Sequence, residues 1–244
     1  MGGTAKETVE EDAQEGSFLF GFVEKVNVND QVLPSLLALT RDDSYVSHVS
    51  QVEIMLECGV RFIQFRSKLL AGSSLLEEAR LAADLARQVG AVLIVNDCPE
   101  VAVRSGAHGV HLGMQDASLA SARQLLGEAA IIGRTVHSVE EAIQVKLEGS
   151  CDYVGLGPFR LSKTKPGVRP VLDYSDISEI KAILDPLPIF LIGGLELSDF
   201  DLIDDLGIAG LAVCSALTGR EGVGENIHAF VERAIVLDSV EASS

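Results

Sequence analysis

Two aspartates, Asp97 and Asp116, stand just beyond apolar runs of the chain, and Arg66, Lys68, Lys163 and Lys165 stand just beyond others. Paired carboxylates near several cations are the parts of a site for magnesium and a diphosphate. Mg2+ takes few protein carboxylates and completes its shell with water and phosphate oxygens, while lysine and arginine neutralise the remaining charge. Helix capping is the competing job: Asp97 could cap a helix at Pro99 to Ser105 and Asp116 one at Ser118 to Leu126, and capping does not exclude ligation. A second set is small and uncharged. Gly193 and Gly194, with Cys214 and Ser215, would let backbone N–H groups approach an anion, which points to a phosphorylated substrate; tight turns without a ligand are the alternative. His111 and His137 lie near the same positions, where a histidine often only hydrogen-bonds a backbone group. His48, His108 and His228 have no special placement and are expected at the surface or satisfied within the fold.

The elements that must position these groups can be counted. Short apolar runs at 36–40, 60–66, 91–96, 109–113, 130–135, 153–157, 189–194 and 210–215 alternate with stretches of helical period. Examples of the latter are Ser74 to Val89, Glu140 to Glu148 and a last one near Gly224 to Leu237. Eight strands each followed by a helix, within about 200 residues, predict a single (β/α)8 TIM barrel. An open doubly wound sheet is the alternative, since the repeat alone does not close a barrel. In either architecture the site lies at the carboxyl ends of the strands. Strand two ends in Gln64, Arg66 and Lys68, strand three in Asn96 and Asp97, strand four in His111 followed by Asp116, and strand five in Thr135 and His137. Strand six leads to Ser162, Lys163, Thr164 and Lys165, strand seven to Gly193 and Gly194, and strand eight to Cys214 and Ser215. On a barrel all of these converge on one mouth.

The 244 residues are 47 % hydrophobic and 23 % charged, which excludes a mainly disordered, collagenous or coiled-coil chain. Nineteen basic against 36 acidic side chains give a net charge of −17, which opposes a nucleic-acid backbone. The four cysteines, Cys58, Cys98, Cys151 and Cys214, form no Cys-x-x-Cys pair, so neither a zinc cluster nor a redox pair is expected. No apolar run approaches the ~20 residues that cross a bilayer. Residues 1–17 are acidic and lack the basic-then-apolar order of a secretion signal, so a flexible tail on a cytoplasmic protein is expected. No linker divides residues 18–244, which are expected to form the barrel, although the apolar run Phe18 to Val23 could dock on it.

Taken together, the runs IQFRSK, VND, GAHGVHLGMQD, IIGRTVHSVEEA, DYVGLGPFRLSKTK and IFLIGG followed by GIAGLAVCSAL resemble the motif series of the thiamine-phosphate synthase family, in order and at family-like spacings from about Leu36 to Leu217. The resemblance implies a transferase. It would join 4-amino-5-hydroxymethyl-2-methylpyrimidine diphosphate to a thiazole phosphate, giving thiamine phosphate and diphosphate by a dissociative, Mg2+-assisted substitution. It further implies that Gln64, Arg66, Lys68 and Asn96 hold the pyrimidine diphosphate, that Asp97 and Asp116 hold the metal, and that Thr135 and Lys165 complete that site. Lys165, Arg66, Lys68 and Thr135 would act catalytically. The segment Ser162, Lys163 and Thr164, with Gly193, Gly194, Cys214 and Ser215, would take the thiazole phosphate.

The chain departs from the family pattern at Phe65, Met114, Thr135, Leu161, Ser162 and the first strand near Arg41 and Asp42. None of these changes removes a cation or a metal ligand, and Thr135 and Ser162 keep a hydroxyl. The related thiazole tautomerase, in which His137 would move a proton, and a non-catalytic barrel binding a phosphorylated metabolite are the competing readings. The full set Arg66, Lys68, Asn96, Asp97, Asp116 and Lys165 favours the synthase. Two small-molecule substrates are the expected partners, without nucleic acid or membrane, and a homo-oligomer is left open.

Overall fold

The computed structural model describes residues 27–28, 31–160, 170–218 and 223–240. Among these residues a two-stranded antiparallel ribbon, β1 (Asn27–Val28) and β2 (Gln31–Val32), precedes a closed barrel of eight parallel strands. The barrel strands are β3 (Leu36–Leu39), β4 (Phe62–Phe65), β5 (Val92–Asn96), β6 (Gly109–Leu112), β7 (Ile131–Val136), β8 (Tyr153–Leu156), β9 (Ile189–Ile192) and β10 (Gly210–Val213). They follow one another in chain order, and β10 closes on β3 with Leu211 opposite Leu36. Each apolar run of the sequence thus supplies one strand, and closure removes the open-sheet alternative. The acidic tail expected at 1–17 and the apolar run Phe18 to Val23 lie outside the described residues.

The outer layer consists of α1 (His48–Glu57), α2 (Gly72–Gln88), α3 (Pro99–Ser105), α4 (Leu119–Leu126), α5 (Val139–Glu148), α6 (Tyr174–Leu184), α7 (Asp201–Leu206) and α8 (Val223–Val240). A single 3-10 turn at Leu197–Phe200 precedes α7. Helix α2 shows why such a segment docks: Ala79, Ala82, Ala83 and Ala86 recur at three- and four-residue steps, and all four are fully buried. Their small side chains let the helix sit close on the sheet. No described helix is long and apolar enough to cross a membrane.

Strand alternation sorts the core into two shells. Leu36, Ala38, Ile63, Leu93, Val110, Ile132 and Leu191 face the helices, whereas Leu37, Leu39, Phe62, Ile94, Ile131, Tyr153 and Phe190 fill the barrel. Inside, the rings of Phe62, Tyr153 and Phe190 meet edge to face in a closed triangle, with centroids 5.6 to 5.8 Å apart. A methyl group at Gly133 would collide with the Tyr153 ring, so glycine there makes room for the largest side chain of the interior.

Candidate active site

The strand ends open into a cavity of about 480 Å3 lined by Arg66, Lys68, Gly193, Gly194, Cys214 and Ser215 among others. Six positions singled out in the sequence therefore share one space. Arg66 and Lys68 are set by the end of β3. The Thr40 hydroxyl accepts from the Arg66 amide at 2.8 Å and donates to the Arg66 carbonyl at 3.1 Å. The Asp42 carboxylate accepts from the Lys68 amide at 2.9 Å and from the Ser67 hydroxyl. His48 bridges Thr40 and Asp42 at 3.0 and 3.1 Å. Burial pushes the Asp42 carboxyl upward, but the hydrogen bonds from Ser67, Lys68, His48 and Leu69 outweigh it and hold its pKa below the ordinary value. Thr40, Asp42 and His48 thus hold the loop that carries Arg66 and Lys68, a role with no signal in the sequence, because their partners lie 25 to 27 positions away or across a helix start.

Neither candidate metal ligand caps a helix. The residue at the cap of α3 is Cys98, with no side-chain bond to the helix, and α4 is capped by Ser118, which accepts from the Ser121 amide. Asp97 instead occupies the left-handed region, with φ of 67°, and its carboxylate ion-pairs with Lys68. A non-glycine residue held there is strained, and such strain concentrates at functional sites. Asp116 accepts from the Gly113 amide at 2.7 Å. Burial first, and then the neighbouring Asp97 carboxylate, raise the Asp116 pKa against the pull of that amide and of Lys68. Two carboxylates therefore crowd one place with a single described lysine between them.

Below the cavity runs a polar chain inside the barrel. Gln64 hydrogen-bonds the Tyr153 hydroxyl, which lies 2.8 Å from His111 Nδ1, and His111 Nε2 lies 2.7 Å from the Thr135 hydroxyl. With Gln64 donating to the phenol oxygen, Tyr153 donates to Nδ1 and Nε2–H donates to Thr135, which leaves the threonine proton for a ligand. Burial lowers the His111 pKa to about 4, so the ring is neutral at ordinary pH. His111 is thereby committed to Tyr153 and Thr135. Asn96 Nδ2 is buried without a hydrogen-bond partner among the described residues. An orphaned donor of this kind awaits a ligand or water.

On the opposite wall Gly193 and Gly194 have φ of 113° and 60°. A Cβ on Gly194 would stand 2.9 Å from Arg160 Cβ, so the turn needs glycine for both conformation and space. Arg160 braces this turn: its amide donates to the Gly193 carbonyl at 3.0 Å, its guanidinium donates to the Gly194 carbonyl at 3.2 Å, and the same guanidinium forks onto Asp199. Arg160 and Asp199 had no signal in the sequence beyond their charge. His137 is drawn away, with Nδ1 against the Gly157 carbonyl. Ser162, Lys163, Thr164 and Lys165 lie outside the described residues.

Known proteins share this arrangement of sequence and fold. The thiamine monophosphate synthase family profile matches residues 36–217. A thiamine-phosphate synthase of Marinobacter nauticus is 39 % identical over 196 residues, covering 80 % of this chain and 87 % of that protein. One from Flavobacterium psychrophilum is 38 % identical over 170 residues, covering 68 % and 82 %. The solved thiamine phosphate pyrophosphorylase from Pyrococcus furiosus superimposes with a TM-score of 0.72 at 27 % identity, over 83 % of this chain and 96 % of that one. With the match spanning all eight barrel strands, the chain belongs to the thiamine monophosphate synthase family.

Proposed function

We propose that this protein is a thiamine-phosphate synthase that joins 4-amino-5-hydroxymethyl-2-methylpyrimidine diphosphate to a thiazole phosphate, releasing diphosphate. The observation that carries the reading at the site is the meeting of Arg66, Lys68, Asp97 and Asp116 at one edge of the mouth. A departing diphosphate needs cations on its oxygens more than it needs a protein base. Arg66 and Lys68 supply two, on a loop fixed from behind by Thr40 and Asp42. Lys165 supplies a third by its place in the family motif.

Asp97 and Asp116 would hold Mg2+. Two crowded carboxylates, one with a raised pKa, suit a small divalent cation, and no described cluster of three or more His, Cys, Asp or Glu offers a dedicated cage. Bound there, Mg2+ would neutralise charge gathering on the leaving diphosphate. Asn96, Gln64 and Thr135 face the barrel axis and would orient the pyrimidine, with the unpartnered Asn96 amide as a donor to it. The amides at Gly193, Gly194, Cys214 and Ser215, with Ser162, Lys163 and Thr164, would bind the thiazole phosphate and place its ring nitrogen to capture the pyrimidine cation.

We further assign residues 1–17 to a dispensable tail and 18–244 to the catalytic barrel of a cytoplasmic enzyme without nucleic-acid or membrane partners. Deleting 1–17 then leaves kcat unchanged. The deciding assay is formation of thiamine phosphate from the two substrates with and without Mg2+. Tautomerisation of a thiazole phosphate without coupling would make the protein a tautomerase, and binding without either reaction would make it a silent barrel.

A further inference from the structure

Arg134 is an exception in its layer. The neighbouring helix-facing positions of the barrel are Val110, Leu112, Ile132, Val136, Val154 and Leu156, all buried and apolar, yet Arg134 shares that face of β7 at 2 % exposure. Among the described residues no other lysine or arginine is buried. A buried guanidinium is strongly unfavourable unless paired, and an apolar side chain of similar volume would fill the layer as well. The packing therefore gives no account of why an arginine stands here.

Its hydrogen bonds do. Nη1 donates to the Gly113 carbonyl at 2.7 Å and to the Ala117 carbonyl at 3.4 Å, so it grips both ends of the turn that contains Asp116. Within that turn Gly113 is tied to Asp116 twice, by its amide to Oδ2 at 2.7 Å and by its carbonyl to the Asp116 amide at 3.1 Å. Behind, Nη2 donates to Glu148 Oε2 at 3.0 Å, and the other Glu148 oxygen accepts from Gln144, also at 3.0 Å. The line Gln144, Glu148, Arg134, Gly113, Asp116 runs from the outer helix α5 to the mouth, and only its last member is a candidate ligand.

We propose that Arg134, oriented by Glu148, is a positioning residue that fixes the Asp116 carboxylate for its cation. The proposal rests on Asp116 being a cation ligand. Partners that orient metal ligands typically change metal affinity by about 10- to 100-fold when removed.

The test is a titration of the full chain with Mn2+ in the presence of inorganic diphosphate, followed by electron paramagnetic resonance, beside thermal unfolding without metal. Arg134→Met is expected to lower the Tm, because Glu148 and the Gly113 and Ala117 carbonyls lose their donor, and to bind Mn2+ about tenfold more weakly. Arg134→Lys is expected to recover part of the loss, because it restores a donor to Gly113, and the KM for the thiazole phosphate is expected to stay at the wild-type value. Wild-type Mn2+ affinity in Arg134→Met, while Asp116→Asn binds weakly, overturns the role of Arg134 and leaves the cation site standing. Wild-type affinity in Asp116→Asn overturns the cation site and the proposal with it. If Arg134→Met does not fold, Glu148→Gln and Arg134→Lys decide by the same titration: weakened binding supports the proposal, and wild-type binding in both refutes it.

Discussion

Lys68, on the loop after β4, ion-pairs with Asp97, the first residue beyond β5, and Asp97 adopts a left-handed backbone conformation where it does so. The lysine thus neutralises the aspartate in the free protein, and a diphosphate with its cation would take over both partners.

Replacing either aspartate tests that exchange. Asp97→Asn and Asp116→Asn are expected to fold normally, because neither residue caps a helix and asparagine tolerates the left-handed conformation. Each should lower kcat about a hundredfold, or ~3 kcal/mol of lost transition-state stabilisation, and raise the Mg2+ requirement. Lys165→Met should lower kcat similarly. Steady-state rates at limiting and saturating Mg2+ check this, and wild-type rates for both Asn variants at limiting Mg2+ would sink the metal assignment.

Bulk at Gly194 should disturb one substrate only. Gly194→Val places a branched side chain at φ of 60° and against Arg160, so the turn must shift. The KM for the thiazole phosphate should rise well above tenfold, while that for the pyrimidine diphosphate changes little. Equal effects on the two constants would refute the placement.

Removing the Asp42 carboxylate should free the loop that carries the cations. Asp42→Ala leaves the Lys68 amide and the Ser67 hydroxyl without their acceptor, while the Leu69 amide keeps Ser67 Oγ, at a cost of about 1–3 kcal/mol in stability. The KM for the pyrimidine diphosphate should rise about tenfold. Chemical denaturation and kinetics together check this; a stability loss with unchanged KM would confine Asp42 to a structural role.

The neutral His111 imposes a pH dependence. Its pKa falls from about 6.5 unfolded to about 4 folded through burial, which outweighs the opposing Asp97 charge, while Arg134 and Arg66 add to the depression. The unfolded chain therefore takes up this proton first as pH falls, so the stability is present above about pH 6.5 and is lost toward about pH 4, to the extent of roughly 3 kcal/mol. Tm measured from pH 7.5 to 4.5 should fall more steeply for the wild type than for His111→Gln. Parallel curves would show that the ring is not held neutral.

The sequence carried the eight units because each strand is a short apolar run and each helix repeats at its own period; closure is not in the repeat and appears only in the pairing of β10 with β3. The candidate residues at strand ends stand out in the sequence for the same reason, since Gln64, Asn96 and Thr135 interrupt apolar runs with polar side chains. Residues that act from behind do not. Asp42 serves a loop that is distant in the chain, the Tyr153 hydroxyl finds His111 over Gly133 of the intervening strand β7, and the burial of Arg134 depends on Glu148, fourteen positions on. The aspartates at 97 and 116 are of a type suited to capping, but Ser118 caps α4 and Cys98 holds the cap position of α3 without a side-chain bond.

The ring triangle of Phe62, Tyr153 and Phe190 plugs the barrel from within. The candidate site is therefore a cul-de-sac, and any molecule that enters or leaves it must use the same doorway. Of two reactants in such a space, the one seated deeper has to arrive first, and any product lodged beneath another must wait for it to depart. On the proposed placement, a pyrimidine near Thr135 and Asn96 would lie beneath a thiazole phosphate at the Gly193–Gly194 rim, and the shared mouth would then order their binding and release.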